Sequence, residues 1–320
     1  MVTKRSVPRK IGFFVLVIAI VAFSIFPFIQ MLSISLKYPS EWGSPGLIPQ
    51  NFNIEAYKEL LNIGQTAKNV PQSVLTLLKE TPDLSEAQRQ AILNKYRSSG
   101  DVFPFLKYFL NSFLLSFTAA FITVAFAILG AYSFSRLRFP GRSLIQRGVL
   151  FVYMFGGILL LIPLYKMFVG IGWLSIPPGA FLSLLVIYIV QTLPVSLYML
   201  GNYFRTIPFS IEEAALIEGA SRFGTVWRII IPLSFAAIVT VFIYCFMIAW
   251  NEYLFASVFL KNFKELYTLP MGLKALFTSK NAIWDRIMAA SVLTATPVIV
   301  LFMAFQRNLA GGLAAGGVKE

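Results

Sequence analysis

The residues of this chain that could do chemistry are few, and most sit in apolar surroundings. There is no histidine, and the single cysteine, Cys245, lies inside an apolar stretch. His-based acid–base catalysis and His metal sites are therefore excluded. Cys245 has no partner for an intrachain disulfide and reads as a small packing residue. No Gly-Lys pair occurs, so there is no G-x-x-x-x-G-K-[ST] loop to cradle a nucleotide. What remains is one carboxylate, Glu252, following Asn251 in an apolar run. There are also amide and hydroxyl side chains (Gln191, Asn202, Tyr188 and Tyr244) and one acidic polar stretch, TIPFSIEEAALIEGASRFGTVWRIIIP, over residues 206–232. No catalytic residue, cofactor or metal is expected.

Each of these groups has a functional and a structural reading. A carboxylate within a membrane span is costly and marks a functional site by default, which would put Asn251 and Glu252 on a substrate pathway. Glu252 is alternatively placed near the outer water interface, or paired with a base such as Lys261 or Arg286. Gln191, Asn202, Tyr188 and Tyr244 offer the amide, hydroxyl and aromatic partners that a polar small-molecule site requires. The same groups also serve interhelical hydrogen bonding and packing. The acidic stretch carries a helix start signal, with Ser210 and Glu213 at capping-box spacing. Ala214 and Ala215 favour helix, and Gly219 is suited to the left-handed closing position. Such a helix of about two turns is too short to be stable alone, so it needs a surface to dock on.

The elements that must hold these residues are membrane helices. The chain is 57% hydrophobic and 13% charged, with a net charge of +13, against about 25% charged in soluble domains. Apolar stretches of the ~20 residues that cross a bilayer recur, over 11–35, 108–134, 148–168, 179–201, 233–256 and 287–305. This predicts an all-α polytopic membrane protein with six transmembrane helices. The first is a membrane span rather than a cleaved signal, since its apolar core is longer than ~7–15 residues. Between the spans lie a long loop over 36–107, a basic connection over 135–147, a short loop over 169–178, the acidic stretch within 202–232, a loop over 257–286 and a Gly-rich tail over 306–320. A small helix with Ser85 and Gln88 at capping-box spacing is expected in the first loop. The bases therefore report membrane topology and not nucleic-acid binding. Arg136, Arg138, Arg142, Arg147, Arg205, Arg222 and Arg228 share a side with the basic N-terminus, which makes that side, and both termini, cytoplasmic.

The spacing within the acidic stretch carries a resemblance. Glu213-Ala214-Ala215, three residues, Gly219, nine residues, then Ile229-Ile230-Ile231-Pro232 resembles the EAA loop of ABC importer permeases, with Ile231 in place of Leu. Phe109-Leu110-Asn111-Ser112, Ala131-Tyr132-Ser133-Phe134-Ser135-Arg136, Arg138-Phe139-Pro140-Gly141, Ala249-Trp250-Asn251-Glu252, Gln306-Arg307 and the terminal Gly312-to-Lys319 segment are similar to the maltose-type carbohydrate permeases. The likeness covers nearly the whole chain and fails over about 65–101, which reads as an outer insertion tuning the docking of an external protein.

The resemblance implies an ABC importer type I permease architecture without enzymatic activity. Its partners would be a second homologous permease subunit, two ATP-binding subunits, an external solute-binding protein, a sugar substrate and the lipid bilayer. The ATPase-coupling residues would be Glu212, Glu213, Ala214, Ala215, Glu218, Gly219 and Ala220. The tail, with Gly316, Gly317 and Val318, would reach the ATPase, and the loop over about 261–286 the binding protein. An importer for a non-sugar solute is the nearest alternative. A secondary transporter would show an inverted repeat with intramembrane carboxylates.

Overall fold

The computed structural model describes residues 7–38, 41–44, 46–63, 85–86, 88, 103–154, 157–278 and 284–317. Regular structure among them is helical throughout, with no strand. The chain divides into two compact units, residues 1–106 with 273–295, and residues 107–272 with 296–320.

The first unit begins with α1 (Val7–Ser35), which leaves its apolar side chains over 12–29 exposed, Phe23 at 84%. Such a surface suits lipid or another membrane helix. Beyond it, Ser35 Oγ and Tyr57 Oη lie 2.7 Å apart, joining the end of α1 to α2 (Glu55–Leu60). Lys37 is buried, its Nζ donating to the carbonyl of Gly46 at 2.5 Å. Asn53 Nδ2 donates to Asp285 Oδ2 at 3.4 Å, and Arg286 pairs with Glu59 at 2.6 Å. Both contacts tie the loop to the start of α12 (Trp284–Gly317). The expected helix in the insertion lies outside the described residues, apart from its start. There the capping box is formed: Ser85 Oγ accepts from the Gln88 amide at 3.3 Å, and Ser85 N donates to Gln88 Oε1 at 3.1 Å.

The second unit is built on α3 (Phe105–Arg136), α6 (Pro177–Thr206) and α9 (Phe235–Trp250). Small residues on α3, Ala119, Ala127 and Ala131, are fully buried at the spacing that lets helices approach closely. Thr123 and Thr192 hydroxyls meet at 3.1 Å between α3 and α6, and Ser196 Oγ meets Cys245 Sγ at 3.1 Å between α6 and α9. Cys245 is thus a buried packing residue. Two shorter helices, α4 (Arg142–Met154) and α5 (Gly157–Gly170), precede α6. Pro177 opens α6 at its first turn, where no amide proton is needed. Phe168, Leu184, Tyr188, Phe255 and Phe259 form the centre of the core.

Among the described residues, four helices are long and apolar enough to cross a membrane, namely α1, α3, α6 and α12, and a bent pair makes a fifth when counted as one span. That pair is α8 (Arg222–Leu233) and α9, which turn by 82° at Ser234. The bend follows Pro232, which cannot donate to the Arg228 carbonyl, and a π turn over Val226–Ile230 widens the helix before it. The expected third span, 148–168, falls on α4 and α5, with α4 beginning inside the expected basic loop. The expected fifth span, 233–256, is corrected. Its helix ends at Trp250 and a separate one, α10 (Leu254–Phe259), follows. The tail is corrected as well. The Gly-rich segment expected as a tail from 306 continues α12 as helix through Gly317.

Candidate functional site

The acidic stretch forms α7 (Phe209–Ile217), a nine-residue helix. Its start differs from expectation. Pro208 holds the N-cap position and no side chain caps the helix, so the Ser210–Glu213 capping box is absent. The helix begins early enough that Ser210 lies inside its first turn. Its end agrees with expectation, and Gly219 has φ +87°. The Gly219 amide donates to Leu216 O at 3.1 Å and the Ala220 amide to Ala215 O at 2.9 Å. This is the Schellman pairing, which satisfies two orphan carbonyls and favours glycine because a Cβ is strained at that φ.

Only Glu212 and Ala215 of α7 are buried. Glu212 is 2% exposed, and its Oε1 lies 2.6 Å from Arg136 Nε. Tyr132 Oη donates to Glu212 Oε2 at 3.4 Å. The same guanidinium donates through Nη2 to the carbonyls of Phe204 and Ile207, both at 2.7 Å, and its carbon sits 5.6 Å from the Phe209 ring centroid. One side chain therefore joins the end of α3, the end of α6 and α7. Burial raises the Glu212 pKa above the ordinary carboxylate value, while Arg136 and the Tyr132 hydroxyl oppose the rise. A buried charge is tolerated because it is paired and hydrogen-bonded.

The remaining α7 side chains face outward. Glu213, Ala214 and Glu218 are exposed, and so are Leu216 at 40% and Ile217 at 87%. The outer face of α7 is thus an exposed apolar tip flanked by carboxylates. The next helix is set by Ser221, whose Oγ accepts from the Gly224 amide at 3.1 Å. In the sequence, Arg136 reads as a topology-setting base and as part of the permease signature, and Tyr132 as part of that signature alone. The available signal was a base at the end of an apolar span, which needs a counter-charge, and a pair of glutamates in the following polar stretch.

Two of the expected pathway residues, Tyr188 and Glu252, are joined directly. Tyr188 is fully buried and donates to Glu252 Oε2 at 2.9 Å. Glu252 is not inside a span helix. It lies in the break after α9, and its carboxylate accepts from the amides of Phe255 at 2.7 Å and Ala256 at 3.0 Å. It thus caps α10, and neither Lys261 nor Arg286 is its partner among the described residues, Arg286 being paired with Glu59. Asn251 Nδ2 turns back to Met247 O at 2.8 Å. The Gln191 amide lies against α5, where a Cβ on Gly157 would come within 3.1 Å of Nε2. Tyr244 is half-buried on α9, and Asn202 is exposed on α6. Gly316 and Gly317 are helical backbone in α12 and Val318 lies outside the described residues. No group of three His, Cys, Asp or Glu able to hold a metal occurs among the described residues.

A bundle of apolar helices with a short acidic helix pinned to its end defines a membrane transport component. Residues 123–314 match the family described as the binding-protein-dependent transport system inner membrane component. The chain belongs to that family and is a multi-pass inner-membrane permease subunit, a transport component and not an enzyme. It is 38% identical over its whole length to the inner membrane ABC transporter permease protein YcjP of Escherichia coli (strain K12), covering all of that protein. It is 30% identical to the maltose/maltodextrin transport system permease protein MalG of Yersinia pestis, over 97% of this chain and 94% of that one. It is 36% identical to the trehalose/maltose transport system permease protein MalG of Thermococcus litoralis, over 67% of this chain and 76% of that one. Its fold matches a chain of a bacterial ABC transporter involved in the import of the acidic polysaccharide alginate, with a TM-score of 0.63, 20% identity, and coverage of 96% and 98%.

Proposed function

We propose that this chain forms half of the translocation pathway of an ATP-binding-cassette importer for a sugar or oligosaccharide. An external solute-binding protein delivers the substrate, a second homologous permease completes the pathway, and two cytoplasmic ATP-binding subunits supply the energy. The helix α7 is the coupling element, with Glu213, Ala214, Glu218 and the Gly219–Ala220 turn at the ATPase and Glu212 and Ala215 holding it to the bundle. Both termini are cytoplasmic, and Gly316, Gly317 and Val318 reach toward the ATPase.

The observation that carries this reading is the two-sidedness of α7. Its inward carboxylate is fixed to Arg136 at 2.6 Å, while Ile217 is 87% exposed on the other side. A displacement of the outer face is passed through a charged joint to α3 and α6 together, which is what coupling to a two-state partner requires. The sugar class rests on the named substrates of the maltose-type relatives.

Reconstitution tests the proposal. The chain is placed in proteoliposomes with its partner permease, ATP-binding subunits and a maltodextrin-loaded or other sugar-loaded binding protein. Loaded binding protein is expected to stimulate ATP hydrolysis and sugar uptake together. Uptake that proceeds without the ATP-binding subunits overturns the assignment. Uptake driven only by a non-sugar solute overturns the substrate class alone.

A further inference from the structure

A cavity of about 310 Å³ opens between the end of α3, the start of α4 and the second half of α6. That is near the lower end of the ~300–1,000 Å³ typical of ligand pockets. It is distinct from the α7 joint and from the Tyr188–Glu252 contact. Its polar lining is Ser143, Gln146, Arg147, Tyr198 and Arg205, and its apolar lining includes Leu150 and Leu197. No acid lines it. Among the described residues neither Arg147 nor Arg205 forms an ion pair. Two cations converging on one concavity repel each other, and an anion between them removes that repulsion.

The order of side chains along the walls says what kind of anion. On α4 the arginine precedes the apolar positions Val149 and Leu150. On α6, Pro194 and Leu197 precede Tyr198, and Arg205 follows, roughly 12 Å beyond Leu197 at ~1.5 Å per residue. Both helices thus grade from hydrocarbon-like to cationic at the rim. The apolar end is built by close approach, since a Cβ on Gly130 of α3 would fall 2.5 Å from Leu197 Cδ2. Outside the cavity, α4 exposes Leu144 at 74% and Phe151 at 62%, surfaces suited to acyl chains. A small soluble phosphate would use only the cationic end.

We infer that this cavity binds the phosphate headgroup of an anionic phospholipid. Arg147 and Arg205 bracket the phosphate, Gln146, Ser143 and Tyr198 are within its polar rim, and the first acyl carbons lie along Leu150 and Leu197. Basic pockets between membrane helices on the cytoplasmic side take such headgroups. The inference is independent of the transported solute.

The full chain, with its co-expressed partner subunits, is tested in nanodiscs containing mixed phosphatidylglycerol and phosphatidylcholine, by native mass spectrometry of the lipid retained after detergent extraction. Phosphatidylglycerol is expected to be retained over phosphatidylcholine. Arg147→Gln with Arg205→Gln is expected to lower that retention about thirty-fold, from the loss of two surface-proximal cations. Arg147→Lys with Arg205→Lys restores most of it. Val149→Trp keeps both charges but fills the cavity, and it too is expected to release the lipid, which covers the case in which the double Gln variant fails to fold. Equal retention of phosphatidylcholine, or unchanged retention in Val149→Trp, overturns the inference. Displacement of the lipid by millimolar inorganic phosphate identifies a soluble anion as the occupant and overturns the lipid assignment.

Discussion

Arg136 and Glu212, 76 positions apart in sequence, form a buried ion pair at 2.6 Å, with 8% and 3% of their side chains exposed. The pair turns a helix with no stability of its own into a fixed part of the bundle. Arg136 holds the carbonyls of Phe204 in α6 and of Ile207 just after it at the same time, so the energy of the joint is not that of one salt bridge.

Breaking the pair from one side leaves a buried charge without its counterpart, which costs about 3–5 kcal/mol. Arg136→Gln is therefore expected to lower the thermal stability of the purified subunit in detergent. Joint replacement by Arg136→Leu and Glu212→Leu should recover part of the loss, since apolar replacement of a buried pair is often neutral. Recovery stays incomplete because the carbonyls of Phe204 and Ile207 lose their donor, at about 1–3 kcal/mol for a buried unsatisfied group. A double-mutant cycle on unfolding free energies measures both parts.

Glu212 also sets a pH dependence. Burial raises its folded pKa, so the folded state holds its proton more tightly than the unfolded chain does. Its contribution favours folding below the ordinary carboxylate range and is lost as pH rises through the raised value. Wild type should thus lose stability relative to Glu212→Gln as pH rises from the ordinary carboxylate range through the raised value. Thermal unfolding across pH, with the two proteins run side by side, checks the sign.

Glu213 lies beside Glu212 in sequence but is exposed. Glu213→Arg is expected to leave membrane insertion and the stability of the isolated subunit within about 0.5 kcal/mol of wild type, as for surface changes generally. Binding-protein-stimulated ATP hydrolysis should be lost. Full ATP-driven uptake with intact assembly after this charge reversal would remove α7 from the coupling role.

Glu252 accepts two amides at the start of α10 and the Tyr188 hydroxyl. Glu252→Gln keeps an acceptor oxygen and should retain transport with an unchanged substrate dependence. Glu252→Ala removes the cap and should destabilise by about 1–2 kcal/mol. A shift in substrate preference on Glu252→Gln would return this residue to the pathway.

Gly219→Ala tests the closing turn of α7. A left-handed non-glycine residue costs about 1–2 kcal/mol, so α7 should fray at the end that carries Ile217 and Glu218. The expected readout is faster amide hydrogen exchange at Gly219 and Ala220, whose amides close the Schellman pairing, with the long helices unchanged.

What the sequence determined by itself follows from local rules. Hydropathy runs define membrane helices because every backbone polar group in lipid must be satisfied within its own segment. The left-handed Gly219 was legible because few residues other than glycine take that conformation. The spacing from Glu213 to Pro232 pointed to the family for the same reason, since it lies within one short segment. The tertiary structure alone decided which glutamate is buried, because Glu212 is selected by Arg136 on another helix and not by its neighbours. It decided that Glu252 caps a helix instead of lining a span, because the break after Trp250 is held by Tyr188, 64 positions away. It also set the 82° turn at Ser234, where Pro232 weakens the helix but packing chooses the direction. Local patterns name the elements, and contacts between residues distant in sequence assign each polar side chain its partner.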